Sequence, residues 1–254
     1  MSEETRRCPL ERAIVGVIFS RADLQRALRM RQPPGLFELR LDRLMNCVDE
    51  VKAAIDRLPA PFIITARDPR EGGANNLSAP RRRALLLQFL PRAAWVDVEL
   101  RSAPLLQSVL RSAAARNIRK IISFHDFEST PSASRLDKIA VDARSLGADV
   151  IKVATRTDTF AQFDRLLDFF DRQRAAAAVA AMGMGKLAAP RASSWPDAAP
   201  SSTMRISAHP PPRARSRSGI CAASLRMFPI PYLNKYRSSR SPWINPSRCQ
   251  TRFR

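Results

Sequence analysis

Cysteine, histidine and glycine are sparse in this chain, whose 254 residues include four, two and eight of them. Cys8, Cys47, Cys221 and Cys249 are scattered, with no pair at metal-ligand or redox spacing. That argues against a disulfide framework or a cysteine-based zinc module. No G-x-G-x-x-G follows the first apolar run, which counts against a dinucleotide-binding fold. No apolar run approaches the ~20 residues that cross a bilayer. The short run Ala13 to Phe19 is too weak for a secretory core and has no cleavage pattern behind it. A cytoplasmic protein with no membrane partner is expected. Acidic residues are scarce in one place only. Residues 1–186 hold 31 Lys and Arg against 22 Asp and Glu, whereas residues 187–254 hold 12 against 1. The net charge of +20 therefore owes more than half of its excess to the last quarter of the chain. A nucleic-acid partner would draw on such charge, but the segment has no aromatic-interleaved pattern or binding module, so none is expected.

What is present is a regular alternation. Apolar, β-branched runs stand at 13–19, 35–42, 61–67, 93–100, 120–127, 149–155 and 178–185, and between them lie segments with apolar residues every three or four positions. Ser20 and Asp49 are expected to cap helices, and Gly147 to follow one. Seven strands, each followed by a helix at a repeat of roughly 25–30 residues, are the pattern of a parallel sheet. The expected fold is α/β, a (β/α)8 TIM barrel over residues 1–186; an open doubly wound sheet is the alternative. The eighth βα unit is not legible. Residues 187–254 hold 10 of the 20 prolines among Ser and Arg, a composition expected to remain disordered or non-native.

Alternate residues of a strand share a face. That periodicity groups Glu38, Arg40 and Asp42 in the second strand, Thr65 and Arg67 in the third, and Asp97 and Glu99 in the fourth. It groups Ser123 with His125 in the fifth and sets Lys152 opposite Ile151 and Val153 in the sixth. In a barrel that face is the interior, and its C-terminal mouth is where catalytic groups gather. Pairs such as Glu38 with Arg40 also suit buried ion pairs that only fix packing, and a single strand histidine suits a hydrogen-bonded core position. Burying an unpaired lysine is costly; a lysine driven neutral by burial is a nucleophile for carbonyl carbon. His125 and Lys152 are one βα unit apart, and together they suffice for Schiff-base chemistry. The loop 66–76 adds Glu71 and the pair Gly72–Gly73. Arg40 and Arg67 converging there would fork a carboxylate.

The strings “FELRLD”, “IITARDPREGG”, “VDVEL”, “SFHDFESTP” and “GADVIKVAT” together resemble the type I 3-dehydroquinate dehydratases, in that family's order. The resemblance spans roughly residues 13–185. It implies a (β/α)8 barrel that eliminates water from 3-dehydroquinate, in the shikimate pathway of aromatic amino-acid biosynthesis, with neither metal nor organic cofactor. It assigns imine formation to Lys152, acid–base catalysis to His125, and substrate binding to Glu38, Arg40 and Arg67. Glu71 would support His125 or the substrate hydroxyls. A small-molecule substrate is the implied partner, and a homodimer is left open.

After “MGMG” at 182–185 the family pattern stops. The substrate-binding Arg and Gln that the family supplies later have no counterpart to carry over. Back-translated from each codon's third base, residues 189–213 admit “ASRFVLARRGSILNYAYLGAPPAQ”, which restores a Ser-Arg, a Gly-Ser, a strand-like run and a Pro-x-Gln in family order. The chain is accordingly read as out of frame from near residue 187. Sequencing the gene around codons 180–190 is expected to show a frame-restoring insertion or deletion, and an intact open frame there would contradict this. Three other readings stand beside the dehydratase: an inactive remnant whose barrel cannot close, a class I aldolase, and a basic nucleic-acid-binding protein. Little turnover is expected of the chain as written.

Overall fold

The computed structural model describes residues 15–187, all within one compact unit. Seven strands run in order: β1 (Val15–Ile18), β2 (Leu36–Arg40), β3 (Phe62–Thr65), β4 (Trp95–Glu99), β5 (Arg119–Asp126), β6 (Val150–Arg156) and β7 (Val179–Met184). Helices α1 (Arg21–Leu28), α2 (Val48–Ala54), α3 (Ala79–Phe89), α4 (Gln107–Ala115), α5 (Ala133–Ser145) and α6 (Phe160–Gln173) connect them. Each strand pairs in parallel with the next, in the order β1 to β7. The result is a curled α/β wall, an incomplete TIM barrel. Among the described residues β1 and β7 are its two ends; the expected 187–254 segment falls outside those residues but for Leu187.

Caps explain several helix starts. Ser20 accepts the amide of Asp23 at 3.2 Å, and Thr159 forms a capping box with Gln162 on α6. Asp49 departs from expectation, because α2 grows out of a 3-10 turn, Met45–Cys47, and is already helical before Asp49 is reached. Its carboxylate instead pairs with Lys52 in the first turns. Gly147 does follow α5, with a φ of 71° that suits glycine.

The period of two in each strand separates two cores. Ile18, Leu39, Ile64, Val98, Ile122 and Val153 face the helices and meet side chains such as Leu24, Leu86, Leu136 and Phe169. On the other face Val15, Leu36, Ile63, Trp95, Ile121, Val150 and Ala180, one from each strand, form a separate apolar floor. The guanidinium of Arg119 lies 5.0 Å from the centroid of the Trp95 ring. The polar residues picked out by strand alternation stand immediately above this floor.

Candidate active site

Two residues beyond the floor, the inward positions are Glu38, Thr65, Asp97, Ser123 and Lys152. Two further on come Arg40, Arg67, Glu99 and His125. Register holds them level: Arg40 pairs with Thr65, Thr65 with Asp97, Glu99 with Ser123 and Ser123 with Lys152. Most are buried.

Asp97 is the hub. Lys152 Nζ donates to its Oδ2 at 3.0 Å and lies 3.9 Å from Glu38 Oε2. Arg67 forks the same carboxylate, with Nη1 to Oδ1 at 3.3 Å and Nη2 to Oδ2 at 3.1 Å. It also donates to Ser123 Oγ at 2.8 Å and Glu99 Oε1 at 3.4 Å, and lies 3.7 Å from Glu38. Burial by itself would raise the Asp97 carboxyl, yet Arg67 and Lys152 hold it well below the usual carboxylate range. Burial likewise opposes the Arg67 charge, and Asp97, Glu99 and Glu38 outweigh it.

This geometry changes two expectations. The buried lysine is not an unpaired ammonium: its partner is Asp97, a carboxylate that alternation places on the same face. Glu38 and Arg40 do not pair. Glu38 accepts from Thr65 Oγ1 at 2.9 Å, while Arg40 forks Asp42 at 3.0 and 2.8 Å. The reason lies past the strand end, where Asp42 turns back under the loop that carries the glycines. It accepts the amides of Arg67 at 3.2 Å and Ala74 at 3.0 Å, besides Arg40. Arg67, 3% exposed, has its donors engaged inside the site. Arg40 is the more exposed of the two guanidinium groups and sits at the rim beside Gly72 O, 3.4 Å away.

Glu71 reaches His125 from the loop after β3. Asp68 caps a 3-10 turn, Pro69–Glu71, by accepting the amide of Arg70 at 2.9 Å. Gly72 closes the turn at φ 80°, and a Cβ there would press on the Phe127 ring at 2.8 Å. At Gly73 a Cβ would collide with the carbonyl of Arg67 at 2.1 Å, so both glycines are required by the close return of this loop. Glu71 Oε2 accepts the His125 amide at 3.0 Å and lies 2.9 Å from Nδ1. Arg67 Nη1 is 3.3 Å from the same nitrogen and can donate to it only in the tautomer that leaves Nδ1 bare. Burial, then the nearby Glu99 charge, push Glu71 up to about 7 against the opposing pull of Arg67 and Arg101. Burial, with Arg67 and Lys152 nearby, holds His125 well below the ordinary imidazole value. A neutral imidazole is therefore available at neutral pH. Asp126, further along β5, accepts the amides of Glu128 and Ser129 at 2.9 Å each, a local turn cap. Among the described residues no group of three His, Cys, Asp or Glu side chains is arranged to hold a metal ion.

Alternation missed Arg82, which is 1% exposed although it lies on a helix. The run “APRRRALLLQF” reads as a solvated basic stretch, but Arg82 is in phase with Leu85, Leu86 and Phe89, the buried stripe of α3.

The fold and site define a class: a parallel βα barrel wall with a lysine on an inner strand position, flanked by carboxylates and a neutral imidazole. The family model described as type I 3-dehydroquinase matches residues 20–189. The chain belongs to that family of hydro-lyases. The 3-dehydroquinate dehydratase of Thermococcus gammatolerans is 31% identical over 161 residues, covering 62% of this chain and 73% of its own. The Desulfotalea psychrophila 3-dehydroquinate dehydratase is 33% identical over 138 residues, covering 54% of this chain but only 60% of its own. The crystal structure of 3-dehydroquinate dehydratase from Geobacillus kaustophilus superposes with a TM-score of 0.63 at 27% identity, over 70% of this chain and 76% of that one.

Proposed function

We propose that the chain acts on 3-dehydroquinate, removing water to give 3-dehydroshikimate through an imine on Lys152. The observation that carries this is the placement of Lys152 Nζ on Asp97, at the level of Ser123, with His125 two residues further along the adjacent strand on the same face. Attack on the ketone needs a neutral amine, so Nζ must lose a proton. Asp97 is a poor acceptor, being held so strongly acidic, and the His125 imidazole is the suitable one. Amine and ketone condense with loss of water, and the protonated imine then acts as an electron sink that acidifies the adjacent C2. His125 takes the C2 proton and returns it to the departing hydroxyl, which leaves as water. Hydrolysis consumes one water, frees the product and restores the amine.

Around this centre Glu38 and Arg40 bind substrate. Arg40 is better placed than Arg67 to meet a carboxylate at the rim, since Arg67 already serves Asp97, Ser123 and Glu99. Arg67 acts as the buried countercharge beneath the substrate. Glu71 aligns the imidazole: when ionised it accepts from Nδ1–H and leaves the Nε2 lone pair as base. When protonated it donates to a bare Nδ1, and Nε2 carries the proton instead. This setting is cytoplasmic, with a small-molecule substrate, and requires no metal, organic cofactor, nucleic acid or membrane. An inactive remnant is the second reading, favoured by the two ends of the wall, since among the described residues β1 pairs only with β2 and β7 only with β6. Borohydride reduction with 3-dehydroquinate tests both: an adduct on Lys152 is expected, and turnover measured beside it separates enzyme from remnant.

The Glu71 pair makes a pH prediction. The Glu71 carboxyl is raised to about 7, so the base-competent form gains as pH rises through that value. Imine formation, read as the initial rate of borohydride trapping, is expected to climb between about pH 6 and 8. Glu71→Gln is expected to remove that inflection and slow trapping by roughly 10- to 100-fold, less than loss of the base itself. A wild-type profile that falls across this range would contradict the assignment.

A further inference from the structure

Among the described residues Arg82 is the most deeply buried cation that the proposed chemistry does not use. It stands in the first turn of α3, where the helix dipole disfavours positive charge, and it is removed from water besides. Such a placement is costly unless specific partners compensate. Nε donates to the Ala66 carbonyl at 2.7 Å, Nη1 to Asp68 Oδ2 at 2.9 Å, and both Nη atoms to Ser102 Oγ at 3.1 Å. Nη2 makes a close ion pair with Glu99 Oε2. Ser102 Oγ in turn donates to Asp68 Oδ2 at 3.1 Å. Every donor thus goes to the ends of β3 and β4 or to the turns that follow them.

Those partners are the supports of the site. The other oxygen of Glu99 accepts from the Asp68 amide at 3.0 Å and from Arg67 Nη1 at 3.4 Å. Asp68 caps the turn that delivers Glu71 to His125. Its carboxyl is held down at about 2: burial opposes this, and the hydrogen bonds from Arg70, then the Arg82 charge, overcome it. We propose that Arg82 is a positioning residue: through Glu99 it aims the Arg67 guanidinium at Asp97, and through Asp68 it seats Glu71 against His125. The role concerns the centre described under Proposed function and rests on that reading for its catalytic meaning.

The consequence is electrostatic as well as geometric. Charged groups reach Glu71 from four sources: Arg67 after β3, Glu99 at the end of β4, Arg101 in the 3-10 turn that follows, and His125 on β5. His125 in turn faces Arg67, Lys152, Asp97 and Arg40. Arg82 offsets the Glu99 charge, and removing it leaves Glu99 freer to oppose ionisation of Glu71.

The test is nuclear magnetic resonance titration of the His125 ring in the full chain with labelled histidine. The sequence has only two histidines, so a His209→Gln background leaves one imidazole to follow. The ring signal reports Glu71, its Nδ1 neighbour, and needs no substrate, so failure of the dehydratase reading leaves this measurement intact. An inflection near pH 7 is expected in the parent. Arg82→Met is expected to raise its midpoint by about one pH unit, and Arg82→Met with Glu99→Gln to bring it back. A folded Arg82→Met protein with an unmoved midpoint would overturn the proposal, since a merely structural arginine changes stability without moving this inflection. If Arg82→Met does not fold, Glu99→Gln alone decides. It should lower the midpoint by about one unit, and no movement would overturn the link through which Arg82 acts.

Discussion

Lys152→Ala is expected to abolish both borohydride-trapped adduct and turnover in the full-length protein. An amine nucleophile has no substitute in this site: among the inward residues of β1 to β7 Lys152 is the one lysine. Residual reaction would have to run without the imine, and so without the electron sink that makes C2 acidic. A loss of at least ~10⁴-fold follows, since that acidification and the covalent step disappear together. The substitution also deprives Asp97 of one of its two cationic partners. Arg67 remains on that carboxylate, so the variant is expected to fold, which circular dichroism checks. Lys152→Met, which fills the vacated volume, should behave alike. Trapping at the wild-type rate in either variant would mean that another amine is the nucleophile.

Arg67→Met is expected to be the most damaging single change to the fold. Its guanidinium meets Asp97, Glu99 and Glu38, all of them buried. Without it Lys152 still faces Asp97 and Arg82 still faces Glu99, but three buried carboxylates share two cations. Removing one partner of a buried ion pair typically costs about 3–5 kcal/mol. A loss at the upper end of that range rivals the whole stability of many domains of this size. Urea denaturation should show a midpoint far below wild type, or no folded protein at neutral pH. The acid limb carries a sign that can be worked out. Asp97 is held below its ordinary value when folded, so its stabilisation is present above about pH 4 and is lost as pH falls further. With Arg67 gone that dependence should flatten. A variant that unfolds at the wild-type urea concentration would show that the cluster contributes little.

Much of this was legible in the strands themselves. β-branched runs at a steady interval specify a parallel wall, because strands buried on both faces must be apolar nearly throughout. In such runs an ionisable residue stands out, and parity alone put Glu38, Arg40, Arg67, His125 and Lys152 on one side. Partner choice was less legible. Parity says which face a side chain takes but not how far it reaches, so Arg40 was set against Glu38 when Asp42, just past the strand, holds it. Lys152 looked unpaired for the same reason: Asp97 lies two strands away, across Ser123. Arg82 was hidden by composition, since three consecutive arginines mask the one in register with the apolar stripe of α3. Asp49 shows the limit at helix ends, where a preceding 3-10 turn displaces the cap.

The imine on Lys152 is the claim on which the rest depends, and one measurement addresses it most directly. Full-length protein is incubated with 3-dehydroquinate and borohydride, digested and mapped by mass spectrometry. The account predicts a reduced adduct on the peptide that carries Lys152, absent without substrate and absent from Lys152→Ala. Folded protein that yields no adduct, or an adduct on a different lysine, would contradict it.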